Sequence, residues 1–218
     1  MYVDVMKRLC FLVVALIVSS CASSLVYSPH AHVAPAVAVG TTSVSVGGAF
    51  LPESRPTAVG QANAAAGETR LGYAFSESFR LDGRYFVALE NLDLPWRHGF
   101  GVTGTAFLGD EKTSILHVTS QFTLDGGSIE GGGGSVQVGR RWTTDVWQFS
   151  TIIGPMFGMR NPSRDEIGVG GLANIGAMYR PTTTIGVGLD VAFGVFRNIA
   201  DAETRGIISP GLLLTIGL

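Results

Sequence analysis

The sequence predicts an all-β protein, a closed antiparallel up-and-down β-barrel of about ten strands, with eight strands as the alternative count. Two patterns support this fold class. Apolar residues recur at every second position over unusually long segments, and the connections between these segments alternate between short and long. Composition agrees, because 30 of the 218 residues are glycine and only 15% are charged. The net charge of −2 gives no basis for a nucleic-acid partner.

The clearest strand signal lies in residues 185–196. Apolar residues from Ile185 to Val195 occupy one parity, and the other parity is mainly glycine and alanine with one acid, Asp190. Successive side chains of a strand point to opposite faces, so this pattern predicts a strand with one apolar face. Ordinary strands run about five or six residues, whereas a tilted membrane-spanning strand needs roughly nine to eleven. The length of the segment therefore favours a membrane strand.

Similar alternation recurs through most of the chain. It is clear in 98–108, 114–124, 135–142, 146–159, 166–179 and 208–218, and weaker in 36–51, 70–79 and 84–92. Pro155 and Pro210 fall inside predicted strands although proline cannot donate to a ladder. We expect each of them at a strand end or a bulge.

The connections fall into two length classes. Short turns are predicted at 80–83, 109–112, 143–145 and 180–183, and longer loops at 52–69, 93–97, 125–134, 160–165 and 197–205. The run Gly131–Gly134 is expected to be flexible outer loop, because no lysine-bearing helix follows it as in a phosphate-binding loop. Short turns at one end and long loops at the other are typical of membrane barrels.

The same alternation also fits a water-soluble barrel or sandwich whose apolar face points inward. Strand faces in water usually carry Lys, Glu and Arg. Here the polar parity of the last long strands is mainly Gly, Ala and Asn, and small residues suit the crowded interior of a narrow barrel. Composition therefore favours the membrane barrel over the soluble one.

The N-terminus has the pattern of a secretory signal. Lys7 and Arg8 precede about ten apolar residues, and two small residues then lead to Cys21. The sequence around Cys21 resembles the lipobox of bacterial lipoproteins; the alternative is an ordinary signal peptide with a chance cysteine. The resemblance implies a signal peptide at 1–20, a lipidated tether at 21–35 and the barrel at 36–218. It also implies acyl groups such as palmitate on Cys21, as the only prosthetic group, and lipoprotein-processing machinery as a partner.

The region 36–218 resembles bacterial outer-membrane β-barrel proteins. Its last strand carries apolar residues at alternate positions up to Leu218, which stands where an aromatic residue is usual in that class. The resemblance implies outer-membrane lipid and the barrel-assembly machinery as partners. It also implies a lipid-anchored location in a Gram-negative outer membrane. An even number of strands would bring both chain ends to the side of the lipid anchor.

The interior of the predicted barrel supplies the candidate site residues. The polar side chains on the inward parity are Glu90, His117, Gln121, Gln137, Arg141, Asn174 and Asp190. An unpaired buried charge is costly, so we expect Asp190 and Arg141 to form an internal network with Glu90. The other interpretation is a polar lining that selects a small solute. A barrel of eight to ten strands has little free lumen, which argues against a general diffusion pore.

These observations favour a structural or surface-interaction barrel without catalytic activity. No metal-ligand spacing and no nucleophile motif occurs in the sequence, and nothing in it identifies a surface ligand. Three alternatives stay open: a small-solute channel, a lipid-modifying enzyme that uses His98 or His117, and a soluble lipid-anchored barrel that binds an apolar ligand. Trp142, Trp147, Tyr85 and Tyr179 are predicted to form an aromatic girdle near the short turns.

Overall fold

A computed structural model describes residues 39–52, 63–89, 97–125, 128–160, 167–199 and 204–218. They form ten antiparallel strands in one closed barrel, each paired with its neighbours in sequence, and β1 pairs with β10. The strands are β1 (Thr42–Pro52), β2 (Asn63–Ser76), β3 (Phe79–Leu89), β4 (Arg97–Leu108), β5 (Ser114–Asp125), β6 (Ser128–Thr143), β7 (Trp147–Arg160), β8 (Ile167–Tyr179), β9 (Ile185–Asn198) and β10 (Thr204–Gly217). The predicted fold class and the count of ten strands are confirmed. Among these residues, no helix has the length and apolar character needed to cross a membrane.

The strand register fixes the width of the barrel. When ladder partners are followed from strand to strand round the barrel, starting at Ser43 on β1, the path reaches β10 at Arg205. The direct ladder between β1 and β10 pairs Ser43 with Gly217 instead. The offset between positions 205 and 217, about 12 residues, implies a strand tilt of about 40° and a backbone radius of about 10 Å. Inward side chains of ordinary size fill much of such a cylinder.

The two faces of the strands differ sharply in polarity. On β9, Leu189 points outward and is 62% exposed, while its neighbour Asp190 points inward and is buried. The same division holds round the barrel. The outward apolar side chains include Val46, Leu71, Phe75, Phe100, Phe122, Val138, Phe149, Ile153, Val169, Ile175, Val187, Phe193, Val195, Ile208, Leu212, Leu214 and Ile216. The predicted alternation therefore places the apolar row on the outside of the closed sheet.

Three predicted connections are wrong. Residues 80–83 lie within β3, and the turn that precedes β3 is formed by Glu77 and Ser78. The predicted loop 125–134 is mostly strand, because Gly131–Gly134 pair with β5 on one side and with β7 on the other. A Cβ atom on Gly133 would lie 2.6 Å from the Phe157 carbonyl oxygen, so glycine permits the close approach of the two strands. Similarly, β2 begins at Asn63, inside the predicted loop 52–69.

Both strand prolines lie where a ladder hydrogen bond is absent. The β6–β7 pairing lapses between Ser135↔Met156 and Val138↔Ile153, which is the stretch that contains Pro155. The β1–β10 pairing ends at Gly211, one residue before Pro210 would be reached. The missing proline donors therefore fall at a gap in one ladder and at the end of another. Neither proline lies at a strand end or at a register shift, so that expectation is wrong.

Candidate functional site

The lumen of the barrel, defined here by the inward side chains of all ten strands, is the candidate site. Buried polar side chains line it on every side. They are Ser43, Ser45, Glu68, Arg70, Arg80, Asp82, Arg84, Thr103, Thr105, His117, Thr119, Gln121, Thr123, Ser135, Gln137, Arg141, Gln148, Ser150, Asn174, Asp190, Ser209 and Thr215. Of the predicted lumen residues, Glu90 lies outside the described residues, and the other six are buried as predicted.

One charged group in the lumen is built on β2 and β3. Arg70 Nε donates to Glu68 Oε1 at 2.7 Å, and Arg84 Nη2 donates to Glu68 Oε2 at 2.9 Å. The three side chains are at most 5% exposed, so the carboxylate bridges two cations away from solvent. Charge-assisted bonds of this kind offset the cost of burying the ions.

A second charged group lies on β3, closer to the short turns than the first. The Arg80 guanidinium donates two bonds from Nε and one from Nη2 to the Asp82 carboxylate, at 2.6–2.9 Å. Arg80 Nη2 also donates to Ser43 Oγ on β1 at 2.6 Å. These contacts tie β3 to β1 across β2. The carboxylate also occupies the space over Gly72, where a Cβ atom would lie 2.2 Å from Asp82 Oδ1.

Sequence reasoning missed these five charged residues. Arg80, Asp82 and Arg84 alternate at every second position, which is a strand signal in itself. The dipeptide Asp82-Gly83 is also a strong hairpin signal, and a short turn was predicted at 80–83. The charged network could have been predicted from this alternation of charged residues.

The middle of the β4–β6 side of the lumen is lined by uncharged polar side chains. His117 is 1% exposed, and its Nδ1 and Nε2 lie 3.1 and 3.3 Å from the hydroxyl oxygens of Thr105 and Thr119. Gln137 Nε2 donates to the Leu172 carbonyl on β8 at 3.3 Å, where the β6–β7 ladder lapses. Gln121 is also buried on β5, two residues after Thr119 and on the same face of the strand. Ser120 points outward, so His117 and Ser120 lie on opposite faces of the sheet.

The predicted contact between Arg141 and Asp190 is not formed. Arg141 Nε donates to the Lys112 carbonyl at 2.7 Å, and its guanidinium carbon lies 3.9 Å from the centroid of the Phe107 ring. Asp190 lies on β9, opposite Gly176 of β8 and Gly211 of β10. The strand parity predicted that both side chains point inward, and the ladders align them in one row, but β7 and β8 lie between their strands.

Asn174 is the buried amide of β8. It is 2% exposed, and neither its Oδ1 nor its Nδ2 has a hydrogen-bond partner among the described residues. A small cavity with room for about one water molecule lies nearby, lined by Gln148, Ser150, Gly176, Ala177, Met178, Gly188 and Leu189. The lumen between β7 and β9 is therefore polar and incompletely filled.

Two clusters of buried apolar side chains lie in the lumen among the polar ones. Phe107, Ile115 and Ile152 form one buried cluster near the short turns. Met156, Leu172, Ala192 and Phe196 form a second cluster toward the long loops, and the Phe196 ring occupies the space over Gly168. Buried polar and apolar side chains thus fill much of the described lumen. Its described residues contain no group of three or more potential metal ligands.

Aromatic rings cluster on the outer face near both ends. Near the short turns, the centroid of the Trp147 ring lies 5.9 Å from that of Phe149 and 5.0 Å from that of Tyr179. Trp142 on β6 is the ladder partner of Phe149 on β7. Tyr85 was predicted in this girdle, and that prediction is wrong. It lies toward the long loops, because β3 starts at Phe79 and not at position 84. There its hydroxyl lies 2.5 Å from Nδ1 of exposed His98.

Fold and surface together define a closed β-barrel with an apolar exterior and a polar, side-chain-filled lumen. No protein-family model matches the sequence, and no curated protein matches it. Among solved structures, the chain is similar to the outer membrane channel DcaP of Acinetobacter baumannii, with 17% identity and a TM-score of 0.36 over 85% of this chain. The chain covers only 60% of DcaP.

Two further similarities cover nearly whole structures. An outer membrane channel of Pseudomonas putida F1 has 11% identity and a TM-score of 0.45, over 86% of this chain and 100% of that one. Neisserial surface protein A has 11% identity and a TM-score of 0.38, over 81% and 96% of the two chains. These similarities concern the barrel fold alone.

Proposed function

We propose that this protein is an outer-membrane β-barrel with a structural or surface-interaction role and no catalytic activity. One observation carries the proposal: the strands turn their large apolar side chains outward and their buried charges inward. A hydrocarbon environment requires this arrangement together with a closed ladder, since every backbone polar group then has a partner. In water, the same surface would expose a continuous apolar band and favour aggregation.

The packing of the lumen supports a role that does not depend on bulk transport. The ion pairs of β2 and β3 and the two apolar clusters fill much of the described lumen. The long loops carry further charges in the sequence, including Arg164, Asp165, Glu166, Asp201 and Glu203, which lie outside the described residues. We assign the contacts with a surface partner to these loops.

Acylation of Cys21 forms the second part of the proposal. Cys21 lies outside the described residues, and the lipobox-like sequence is its support. β1 begins at Thr42, whose carbonyl accepts a 2.8 Å bond from the backbone N–H of Leu218, so the start of β1 and the end of β10 both lie beside the short turns. An acyl group on Cys21 would anchor that end. Loss of labelling by radioactive palmitate in a Cys21→Ala variant, against a Cys10→Ala control, tests the anchor.

A direct test of the membrane assignment uses full-length protein purified from outer membranes. A folded membrane barrel runs faster on an unheated denaturing gel than after boiling and resists extraction by urea. Cys21→Ala protein should behave in the same way, because the barrel and not the acyl group holds it in the bilayer. Release of folded, monodisperse Cys21→Ala protein into detergent-free buffer would overturn the assignment.

A small-solute channel is the second candidate, and the buried charges with the unpartnered Asn174 amide favour it. Planar-bilayer recording separates the two roles. The structural role predicts a current no larger than that of protein-free bilayers. A channel predicts single-channel steps whose size changes in Asp190→Ala or Arg141→Ala protein.

A further inference from the structure

Arg140 places a positive charge on the outward, apolar face of the barrel. It is exposed on β6, and its neighbours on the same face of that strand are Val138 and Trp142. Among the strand residues whose side chains the structure describes, only Arg140 and Arg197 are both charged and directed outward. Arg197 is the last residue but one of β9, beside the long loops. A charge on this face is unfavourable in hydrocarbon unless it reaches polar groups.

Two hydroxyl side chains flank Arg140 in the sheet. Ser114 is its ladder partner on β5, and Thr151 is its ladder partner on β7. Both point outward, because the residues that follow them in sequence, Ile115 and Ile152, are buried in the lumen. The Cβ atoms of directly opposed residues lie about 4.5–5.5 Å apart. Ser114, Arg140 and Thr151 therefore form one outward polar row across three strands.

Large apolar side chains border the polar row above and below. Val138 and Ile153 are ladder partners on the side nearer the middle of the barrel, and both are exposed. Trp142 and Phe149 are ladder partners on the side nearer the short turns, and both are exposed as well. Acyl chains can lie along the first pair, whereas tryptophan is typical of the interface between membrane and water. The polar row thus lies between a surface that suits acyl chains and a surface that suits headgroups.

The polar row lies close to the end of the barrel that carries the short turns. Arg140 is three residues before the end of β6, which is about 8 Å along the barrel axis at the strand tilt given above. The apolar stem of an arginine can span such a distance and bring the guanidinium to the headgroup level.

No acid of this chain compensates the Arg140 charge in the part that the structure describes. Arg140 forms no ion pair with a described residue. The acids of the two nearest turns, Asp110, Glu111 and Asp145, are exposed beyond the strand ends. The guanidinium is therefore available to an anion from outside the chain.

We propose that the polar row binds the phosphate of an anionic phospholipid in the leaflet on the short-turn side. Arg140 donates paired bonds to the phosphate oxygens, as guanidinium groups do, and Ser114 and Thr151 donate to the same headgroup. The acyl chains lie along Val138 and Ile153. Phosphatidylglycerol fits this site better than phosphatidylcholine, because the choline group already supplies a cation to its own phosphate. The inference rests on the proposed membrane location and adds a lipid-binding site to it.

Native mass spectrometry of the full chain tests the site. The protein is placed in nanodiscs of equal parts phosphatidylcholine and phosphatidylglycerol, and the lipids that it retains are counted. The wild type is expected to retain phosphatidylglycerol in preference. Arg140→Gln should lower the ratio of retained phosphatidylglycerol to phosphatidylcholine about ten-fold, the effect of losing a charged hydrogen bond. If Arg140→Gln does not fold, Ser114→Ala/Thr151→Val decides the outcome, since an unchanged ratio there would contradict the proposal.

Arg197→Gln is the matched control, because it removes the same outward charge at the opposite end of the barrel. It should retain phosphatidylglycerol as the wild type does. An equal loss in both variants would show attraction by net charge alone and overturn the proposal. A dimer that is lost only in Arg140→Gln would make a second copy the occupant and overturn it too. Wild-type protein that inserts without preferring phosphatidylglycerol overturns the lipid site alone, whereas wild-type protein that does not insert overturns the membrane location with it.

Discussion

Arg84 Nη2 lies 2.9 Å from Glu68 Oε2 across the β2–β3 ladder, and both side chains are shielded from solvent. The other carboxylate oxygen accepts from Arg70. One acid thus compensates two buried guanidinium groups, and its loss would remove a counter-charge from both. This asymmetry makes Glu68 a consequential charge of the described lumen.

We expect Glu68→Gln to destabilise the folded barrel by about 3–5 kcal/mol, because breaking a buried pair leaves uncompensated charge. Reversible guanidinium unfolding in phosphatidylcholine vesicles measures the change. Glu77→Gln removes an exposed acid from the adjacent turn and should change stability little. The double variant Glu68→Gln/Arg84→Gln should recover part of the loss. Equal stability of Glu68→Gln and wild type would contradict the role assigned to Glu68.

The period-two pattern predicted the strand faces well. Leu189 and Asp190 lie on the predicted faces because the side-chain alternation of an extended chain is local and needs no partner strand. The closed barrel followed from the lengths and number of the strands. The predicted strand faces and the predicted closed barrel stay correct even where a predicted strand boundary is wrong by a few residues.

What the sequence did not predict depends on register. Arg141 and Asp190 both point inward and share one row of ladder partners, through Ser150 and Gly176, but two strands lie between β6 and β9 and the side chains do not meet. Register itself is set by turn position and bulges. A misplaced turn at Asp82-Gly83 therefore hid the charged network of β2 and β3, although each residue was visible in the sequence.

The outward face offers a prediction about the bilayer. Leu189→Arg should destabilise the membrane-inserted barrel by about 2–4 kcal/mol, since a charge on the lipid-facing side of a strand loses hydration. Folding efficiency and guanidinium unfolding in phosphatidylcholine vesicles measure the effect. Thr183→Arg, in the exposed β8–β9 turn, is the control and should fold normally. A folded, bilayer-independent Leu189→Arg protein would show that this face meets water.

The backbones of β6 and β7 approach each other so closely at Gly139 that no side chain should fit there. A Cβ atom on Gly139 would lie 1.8 Å from the Thr151 carbonyl oxygen, so the backbones must separate. We expect Gly139→Ala to cost about 1–3 kcal/mol, as overpacking does. Gly171→Ala is the matched control on β8, where a Cβ atom meets nothing within 4 Å. Similar unfolding midpoints for the two variants would refute the close approach.

The turn ion pair of Glu77 and Lys112 predicts a pH dependence. The hydrogen bond from Lys112, followed by its positive charge, lowers the pKa of the exposed Glu77 carboxyl below its usual value. A carboxyl with a lowered folded-state pKa stabilises the fold above its unfolded pKa, and this contribution is lost as pH falls through the folded pKa. Carbon NMR titration should therefore show the Glu77 pKa rising in Lys112→Met and staying low in Lys112→Arg. Both variants keep a non-glycine residue at position 112, where φ is +52°, so the backbone strain is matched. An unchanged Glu77 pKa in Lys112→Met would mean that the pair does not form in solution.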